Sequence, residues 1–568
     1  MRKLKRFKRR IAYFSMEIAL DPAIPTYSGG LGMLAGDTIR SAADLRVPMV
    51  AVTLLYRRGY FFQRLDAQGW QHEEPALWNV DDFLEPLPER ASITIEGRLV
   101  QIRAWRREVV GVDGYRVPVI LLDTDMPENS SWDRTLTHHL YGGDHHYRLC
   151  QEIVLGIGGL RMLRGLEYDG VERYHMNEGH AALLAFELLE ERLTEHGRVQ
   201  ASVEDVDAVK DRCVFTTHTP VPAGHDKFHM DMVVGALGRK AVLENRNLYE
   251  SEGMFNMTRL ALNLSRFVNA VAKRHAEVTT KMFPEHPVAA ITNGVHAFTW
   301  ASQPFQELFD LRIPDWRSDG ASLRTATRIP NDEIWASHRR AKMGLLQFIS
   351  RHHNAGMDVD AFTIGFARRS AMYKRAGLLF RDADRLKHIA TTAGPLQIIY
   401  AGKAHPNDRQ AKELIQHVFQ AKSMLGDAIK IIYLENYDME LGKLITSGVD
   451  LWLNTPQAPL EASGTSGMKS AVNGVPSLSV LDGWWVEGCV EGVTGWAIGE
   501  DDFARGGHHD DARDAASLYD KLGDVIVPLY YHNRDGYINV MRHCIALNGS
   551  YFNTQRMMQE YVLRAYFC

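Results

Sequence analysis

The sequence predicts an α/β protein of two doubly wound, Rossmann-like domains that face each other across a cleft. Short apolar runs of strand length alternate with segments of helical periodicity in both halves of the chain, as in parallel sheets covered by helices. A glycine-rich turn at Gly29 and Gly30 follows the first of these runs. The 568 residues also exceed what one hydrophobic core normally supports, so two domains are expected.

Composition narrows the class of protein. The net charge of -5 gives no argument for nucleic-acid binding, and the 45% hydrophobic fraction is that of a globular chain. Seven Lys or Arg residues within Met1 to Arg10 predict a solvated leader to the first strand, with RNA or anionic lipid as the alternative contact.

Targeting and redox signals predict a cytoplasmic protein. No apolar run reaches the roughly 18 to 20 residues of a membrane helix, so no membrane contact is expected. The segment Ile11 to Leu20 contains Glu17 and lacks a small-residue cleavage site, which argues against a signal peptide. The cysteines have no C-x-x-C spacing and predict free thiols in a reducing compartment. They are Cys150, Cys213, Cys489, Cys544 and Cys568.

The first half begins with a predicted strand-turn-helix unit. Ile11 to Ser15 reads as a buried strand, and Pro25 to Asp37 as the glycine turn and helix start that follow it. Such a unit brings phosphates or sugars to backbone amides. Met49 to Tyr60 continues as strand and turn, and the alternation in Ile93 to Leu122 predicts a β-rich insertion.

Two further polar turns precede predicted helices. Asp144 is expected to cap the first of these helices. The run from His175 to His180 is expected to head a helix over Ala181 to Leu193, with Asn177 as its cap. The histidine interval differs from the i,i+4 spacing of zinc ligands, so no metal site is predicted.

Two polar side chains follow predicted strands of the first half. His218 lies at the end of the strand-like run Val214 to Pro220, and Asn293 lies in the similar run Ala290 to His296. Ligands of open α/β sheets gather at the carboxyl ends of strands. A structural histidine is the alternative for His218. From there to about Asn331 the chain is rich in Pro, Ser, Asp and Trp, which predicts a link between the halves.

The second half opens with a predicted strand, Thr363 to Phe366, followed by a cluster of cations. Arg368, Arg369, Lys374 and Arg375 fall within eight residues. A solvated helix face is one interpretation, and charges converging on an anion at a strand end is the other. Arg375 is expected on the solvated side. Further buried strands are predicted at Leu396 to Ala401 and Ile429 to Leu434.

The segment Glu461 to Lys469, E-A-S-G-T-S-G-M-K, is a turn of small residues that leads into a predicted helix. Small residues let the backbone approach a ligand closely. Lys469 lies about one helical turn beyond Ser466, where burial would lower the pKa of its amine and suit Schiff-base chemistry. A Gly/Ser loop with a solvated lysine is the alternative for this string alone.

This segment, continued through Gly474 and followed by L-D-G-W-W-V-E-G from Leu481 to Gly488, resembles the pyridoxal-phosphate segment of the glycogen/starch/maltodextrin phosphorylases. Matching motifs run from Ile11 to the C-terminus, without the long N-terminal regulatory region of larger phosphorylases. The resemblance implies a fold of the glycosyltransferase-B type and the cofactor pyridoxal 5′-phosphate, held by Lys469 as a Schiff base.

The resemblance also implies a role for each matching residue. Cofactor contacts fall to Lys469, Thr465, Ser466, Gly30, Arg368, Tyr437 and Trp300. Sugar and substrate contacts fall to Gly29, Leu31, Asp144, Asn177, His218, Asn293, Tyr373, Glu461, Ser463 and Gly464. The catalytic set is Lys469, Arg369, Lys374, Glu461 and His218, with Arg369 and Lys374 on the substrate phosphate.

The expected function is that of an α-1,4-glucan phosphorylase, which converts glucan ends and inorganic phosphate reversibly and with retention to glucose-1-phosphate. Phosphate has a second pKa near ~6, so it can supply the acid that this transfer needs. The implied partners are an α-glucan or maltodextrin, phosphate and glucose-1-phosphate, and a homo-oligomer is left open. The expected domains are residues 1–297, residues 298–550, and a final helix in 551–568 that packs back on the first domain.

Three departures from the family pattern leave two alternatives. Met33 stands where many members have Arg, Gly467 replaces Asn, and Ala371-Met372 replaces His-Glu. These departures motivate a glucan-binding protein without turnover. A nucleotide-sugar-dependent glucan synthase on the same fold is the other alternative, but its glycine loop normally follows a lysine, whereas Tyr27-Ser28 precede the loop here.

Overall fold

The computed structural model describes residues 9–221, 224–353, 355–501, 503–504 and 510–567. Residues 1–8 of the predicted basic leader and Cys568 lie outside these ranges. Among the described residues, no helix combines the length and the apolar character needed to cross a membrane. The described cysteines Cys150, Cys213, Cys489 and Cys544 are free thiols, as predicted.

Strands and helices alternate through both halves of the described chain. The strands are β1 (Ile11–Ser15), β2 (Met49–Leu54), β3 (Phe62–Leu65), β4 (Gln71–Glu74), β5 (Glu85–Ile95), β6 (Arg98–Val110), β7 (Arg116–Asp123), β8 (Arg173–Asn177), β9 (Cys213–Thr216), β10 (Lys227–His229), β11 (Glu250–Ser251), β12 (Met254–Asn256), β13 (Phe267–Ala270), β14 (Ala289–Ala290), β15 (Phe362–Ala367), β16 (Leu396–Ala401), β17 (Lys430–Leu434), β18 (Leu451–Asn454), β19 (Ser477–Val480) and β20 (Gly495–Ile498).

The α-helices of the described chain are joined by loops and by short 3₁₀ and π segments. They are α1 (Gly30–Asp44), α2 (His145–Ile153), α3 (Gly159–Gly165), α4 (Leu183–Glu195), α5 (Val203–Lys210), α6 (Met230–Leu237), α7 (Met257–Asn263), α8 (Lys273–Met282), α9 (Ala297–Trp300), α10 (Gln303–Arg312), α11 (Asn331–His352), α12 (Ala383–Thr392), α13 (Arg409–Leu425), α14 (Met439–Gly448), α15 (Ser466–Val472), α16 (Trp485–Gly488), α17 (Asp511–Asp520), α18 (Val527–His532), α19 (Arg534–His543) and α20 (Thr554–Tyr561).

The first half contains a nine-stranded sheet in the order β14-β13-β9-β8-β1-β2-β7-β6-β5. The strands from β14 to β7 are parallel, and β6 and β5 extend the edge in antiparallel fashion, so the predicted β-rich region continues this sheet. The chain order reverses between β1 and β8. Ser15 and Asn177 are register partners at that reversal, which is where open α/β sheets form a ligand crevice.

The second half contains a six-stranded parallel sheet in the order β17-β16-β15-β18-β19-β20. Its chain order reverses between β15 and β18, so the residues that follow these two strands meet at one edge. Every residue of β15, β16, β18 and β19 is buried, as expected of a parallel sheet covered on both faces. The prediction of an α/β protein with parallel sheets is confirmed.

The helix α20 returns to the first half. It packs along α1, and the Tyr561 and Tyr566 hydroxyls reach the side chains of Thr216 and His175 at 3.1 and 2.7 Å. Both tyrosines are buried. The end of the described chain therefore completes the core under the first sheet.

A β-hairpin of residues 62–74, which we call the clasp hairpin, extends from the first half to the second. Gln63 of β3 and Gln71 of β4 are both buried. The Gln63 amide group donates to the Gly402 carbonyl at 2.9 Å, and Gln71 exchanges hydrogen bonds with the backbone of Ala404 at 2.8 and 2.9 Å. The Asn436 amide donates to Gln63 at 2.8 Å. The clasp hairpin thus joins the two halves through backbone groups of the second.

One local prediction is wrong. His175 and Asn177 do not head a helix, because they belong to β8 between β1 and β9. Asn177 therefore caps nothing, and Glu178 precedes the 3₁₀ turn that leads to α4. The polar sequence R-Y-H-M-N hides a strand whose side chains are satisfied by neighbouring elements.

Candidate active site

The glycine turn lies at the carboxyl end of β1 and is fixed by Glu17. The Glu17 carboxylate accepts hydrogen bonds from the Ser28 amide at 2.6 Å, the Gly29 amide at 3.2 Å and the Tyr141 hydroxyl at 2.7 Å. A Cβ atom on Gly29 or Gly30 would meet nothing within 4 Å, so this backbone faces open space. The turn is therefore held from behind and free in front, and Leu31 follows within the first turn of α1.

Lys469 is a buried amine in α15. Its side chain is 5% exposed, and Nζ lies 3.7 Å from the centroid of the Trp300 ring. Burial lowers the pKa of this amine to about 8, and the charge of Asp37 opposes that shift. A lysine with a pKa near neutral pH supplies an appreciable fraction of uncharged, nucleophilic amine. The predicted lysine thus has the environment that condensation with an aldehyde requires.

Trp300 and Tyr437 line the same wall beside this amine. A Cβ built on Gly442 of α14 would lie 3.2 Å from the Tyr437 hydroxyl and 3.7 Å from the Trp300 ring. The Trp300 indole N–H donates to the Asp37 carboxylate at 2.6 Å. Asn473, which follows α15, donates to the Trp300 carbonyl at 2.9 Å and so ties the lysine helix to this wall.

The predicted cations after β15 meet Glu461, which follows β18. Arg368 and Lys374 donate to the same Glu461 oxygen at 2.5 and 2.6 Å. Burial alone would raise the pKa of Glu461, but these two charges outweigh it and hold that pKa at about 2. Arg368 also donates to the Asn454 side chain. Two cations and one carboxylate are therefore buried together at the reversal point of the second sheet.

Arg369 points into the cleft rather than to this cluster. Within the described ranges it makes no hydrogen bond or ion pair that would neutralise it. Burial would lower its pKa, but the electrostatic influence of Tyr373, Tyr60 and Tyr141 makes the net direction of the pKa upward. Tyr60 and Tyr141 come from the first half, so Arg369 is a cation shared by both sides of the cleft. Tyr373 also lies under Lys374, with Nζ 4.4 Å from its ring centroid.

The prediction for Arg375 is wrong. Its side chain is 8% exposed and pairs with Asp514 at 2.7 Å. It also donates to the carbonyls of Thr455 and Pro456 at 3.0 and 2.8 Å. A left-handed backbone at Arg375, with φ of 48°, turns this side chain away from its cationic neighbours and into the protein. It is a structural residue of the second half.

His218 and Asn177 meet at the reversal point of the first sheet. Asn177 donates to Ser15 Oγ at 3.0 Å, which leaves its Oδ1 to accept from His218 Nε2 at 2.7 Å. Burial lowers the pKa of His218 to about 3, so the ring is neutral and its Nδ1 is an acceptor. Asn293 Oδ1 is buried without a partner among the described residues. Both side chains therefore have hydrogen-bonding capacity left for a ligand.

The small residues before α15 shape the floor of the site. Gly464 has φ of +86°, a conformation that favours glycine, and packs against the Glu461 side chain. Ser463 Oγ is buried without a partner among the described residues. Thr465 directly precedes α15, and the Trp452 indole donates to Ser466 Oγ at 3.2 Å.

Asp144 lies apart from these groups. It caps α2 as predicted, accepting from the Tyr147 amide at 2.9 Å, and it is exposed. Within the described residues it makes no hydrogen bond or ion pair with another predicted site residue. Its role beside a sugar remains a prediction.

One group of side chains has metal-ligand spacing. The ligand atoms of Glu152, His180 and Asp226 all lie within 4.8 Å of one another. The Arg148 guanidinium donates to Glu152 at 2.9 Å and to Asp226 at 3.3 Å. Because a protein cation already binds both carboxylates, this arrangement does not favour a metal ion.

Sequence reasoning missed several residues that position the site, notably Glu17, Tyr141 and Asp37. Glu17 and Asp37 lie in segments that the sequence analysis had singled out, at the end of β1 and in α1. Nothing in their spacing identifies the partners, because the Glu17–Tyr141 and Asp37–Trp300 contacts join elements far apart in the chain. The one sequence feature that could have drawn attention to Asp37 is its position as an acid after the apolar first turns of α1.

Comparison with known proteins identifies the family of this chain. A family model described as carbohydrate phosphorylase matches residues 237–512. Maltodextrin phosphorylase of Thermococcus litoralis is 40% identical over 99% of this chain and 71% of its own length. Glycogen phosphorylase of Mycobacterium tuberculosis is 35% identical over 98% of this chain and 70% of its own. Glycogen phosphorylase of Aquifex aeolicus is 34% identical over 99% and 86%. The chain belongs to the carbohydrate phosphorylase family.

Proposed function

We propose that this protein is an α-1,4-glucan phosphorylase that converts glucan non-reducing ends and inorganic phosphate reversibly to glucose-1-phosphate, with retention. One observation carries the proposal. Arg368 and Lys374 share the Glu461 carboxylate at the edge of the second sheet, Arg369 follows Arg368 in the chain without a carboxylate partner among the described residues, and the same half buries Lys469 beside Trp300. Cations that are not fully neutralised by carboxylates are what phosphate binding and phosphate-driven transfer require.

Pyridoxal 5′-phosphate is the cofactor that we propose for this site. Three groups fit this cofactor. The first is the Lys469 amine, whose described contact is with the face of the Trp300 ring. The other two are buried atoms without a hydrogen-bond partner among the described residues, Arg368 Nε and Ser463 Oγ. Tyr437 and Trp300 offer flat surfaces for the pyridine ring. When bound, pyridoxal 5′-phosphate supplies a phosphate group that exchanges a proton with the substrate phosphate.

The residues of this chain have separate tasks in the proposed reaction. Arg369 has no carboxylate partner among the described residues, and Lys374 contacts only one oxygen of Glu461, so both side chains can bind the incoming phosphate. His218 Nδ1 accepts a hydrogen bond from one sugar hydroxyl, and the Asn293 amide oxygen accepts a second hydrogen bond. Together these two hydrogen bonds orient the glucosyl group. The glycine turn approaches the substrate with backbone amides. Excluding water from this cleft favours phosphate as the acceptor.

We further infer that the two sheets and their helices form a glycosyltransferase-B arrangement, with the reaction in the cleft between the reversal points. Arg369 lies among first-half tyrosines, and Trp300 bonds Asp37 of α1, so both halves contribute to one site. We also propose a cytoplasmic location and an α-glucan or maltodextrin substrate. The contacts between the two halves support the glycosyltransferase-B arrangement whatever the length of the glucan or the regulation of the enzyme.

The test uses purified protein with maltodextrin and phosphate. We expect release of glucose-1-phosphate, the reverse reaction from glucose-1-phosphate, and a pyridoxyl adduct on Lys469 after borohydride reduction and mass spectrometry. The variant Lys469→Ala should fold but lack both the adduct and the activity, because the amine is the assigned attachment point. Transfer from ADP- or UDP-glucose without glucose-1-phosphate release would sink the proposal, as would an active protein whose adduct lies elsewhere.

A further inference from the structure

Asp37 lies at the N–H edge of the Trp300 indole. It is 1% exposed and belongs to α1, the helix that begins at the glycine turn. Its Oδ2 accepts from the Trp300 indole N–H at 2.6 Å and from the His296 amide at 3.1 Å. The Lys469 amine lies over the ring of the same indole at 3.7 Å. Carboxylate, indole and amine therefore form one continuous unit.

This unit couples a buried charge to the amine in two ways. A carboxylate that accepts from an indole N–H increases the electron density of the ring, and a richer ring face attracts an ammonium more strongly. The negative charge also acts directly through a medium of low polarity. Both effects favour the same position of Nζ and the same protonation state.

The neighbouring charges do not duplicate this effect. Arg40, also on α1, donates to Asp37 Oδ1 at 3.3 Å, and Lys443 of α14 lies near both of them. Among the described acids it is Asp37 that raises the pKa of Lys469. Asp44 is occupied by His296 at 2.8 Å. Asp37 is thus the acid on which the state of the amine depends.

We propose that Asp37 is a positioning residue for Lys469, acting through the Trp300 indole to hold the ε-amine at the centre of the site and to stabilise its protonated form. The catalytic meaning of this role rests on the proposed function, whereas the geometry does not. Burial takes the amine towards the neutral form and Asp37 limits that change. The helix of the glycine turn thereby tunes the lysine that lies on the other half.

The variant Asp37→Asn tests this role, because its amide oxygen still accepts the indole hydrogen bond while the charge is lost. In full-length protein from which hydroxylamine has removed any bound pyridoxal 5′-phosphate, we expect the pH midpoint of Lys469 acetylation by acetic anhydride, read by mass spectrometry, to fall by about one. Reactivity at neutral pH should rise about fivefold as more amine becomes neutral. A merely structural role for Asp37 would leave the midpoint unchanged in the folded variant.

A second variant and a control complete the experiment. Trp300→Phe keeps a ring but removes the N–H donor, and its midpoint should also fall. Asp310→Asn is the matched control, because Asp310 accepts from the Trp316 indole at 2.8 Å outside the site, and its midpoint should equal that of the wild type. An unchanged midpoint in both site variants overturns the proposal. Since acetylation needs no cofactor, a wild type that fails to fix pyridoxal 5′-phosphate on Lys469 counts against the proposed function alone.

Discussion

At the scale of single residues, the second half carries a surplus of positive charge around Glu461. Glu461 is shared by Arg368 and Lys374, and Arg369 has no carboxylate partner among the described residues. One carboxylate for three cations leaves room for an anion of about two charges. The Glu461 amide is itself held by the Asp482 carboxylate at 2.8 Å, which keeps this acid in place.

Arg369→Ala should lower kcat/KM for phosphorolysis and for synthesis alike, because both directions pass through one transition state. A charge-assisted hydrogen bond contributes roughly 1.5 to 3 kcal/mol, so we expect a loss of about tenfold to a hundredfold. Steady-state kinetics in both directions measure it. Arg381→Ala is the control, since Arg381 is 51% exposed and pairs only loosely with Asp511 at 3.9 Å. Full phosphorolysis by Arg369→Ala would contradict the phosphate assignment.

The sequence indicates which residues carry the chemistry, but it does not indicate the hydrogen-bond and ion-pair partners that position them. The environment of Lys469 is as expected of a Schiff-base lysine, and Arg368 and Lys374 converge as a strand-end cluster should. Arg375 shows the limit. Its charge and spacing match those of its neighbours, and only the left-handed turn sends it to Asp514. A single φ angle of this kind is not readable from composition or periodicity.

At the scale of elements, α15 explains one departure from the family pattern. A Cβ atom on Gly467 would lie 2.8 Å from the Trp484 ring and 3.1 Å from Ser477 Oγ. The asparagine expected from the resemblance has no room while Trp484 fills this space. Glycine at 467 and tryptophan at 484 are therefore two parts of one packing arrangement beneath the lysine helix.

Gly467→Ala should destabilise the protein by about 1 to 3 kcal/mol, because the added methyl group forces the tryptophan to move. In the background of Trp484→Ala the same change should cost less, so the two substitutions should show a coupling energy of about 0.5 to 3 kcal/mol. Urea unfolding of the four proteins measures this cycle. Gly377→Ala is the control, as its Cβ would meet nothing within 4 Å and its φ is -84°. Strict additivity would refute the packing explanation.

Element prediction succeeded where burial is continuous and failed where tertiary contacts satisfy polar residues. The predicted bounds of β1 and β16 are those observed, since both strands are largely apolar and are buried throughout. β8 was missed because His175 is satisfied by Thr216 and Tyr566, partners that a local pattern cannot contain. Helical or strand periodicity records solvent exposure, and β8 has almost none.

At the scale of the whole molecule, the clasp hairpin joins the halves near the cleft. Gln71→Ala would leave the Ala404 N–H and carbonyl without their side-chain partners. Each lost bond should cost about 1 kcal/mol, so amide exchange in residues 402–405 should accelerate about fivefold or more. Hydrogen exchange with mass spectrometry measures it. Gln303→Ala, on an exposed side chain of α10, should leave this segment unchanged. Equal exchange in both variants would show that the hairpin does not restrain the second half.

The return of α20 to the first sheet has a consequence for synthesis on the ribosome. Tyr561 and Tyr566 fill the core beneath β8 and β9, yet they are translated after every strand of the second sheet. Domains usually fold in the order in which they emerge. In this protein the first half cannot complete its core until the last residues have been translated. The growing chain therefore exposes an incomplete apolar surface on the first half while the second half is being translated. Chaperones would be needed to protect that surface during translation, although all the strands of the first half have already been made.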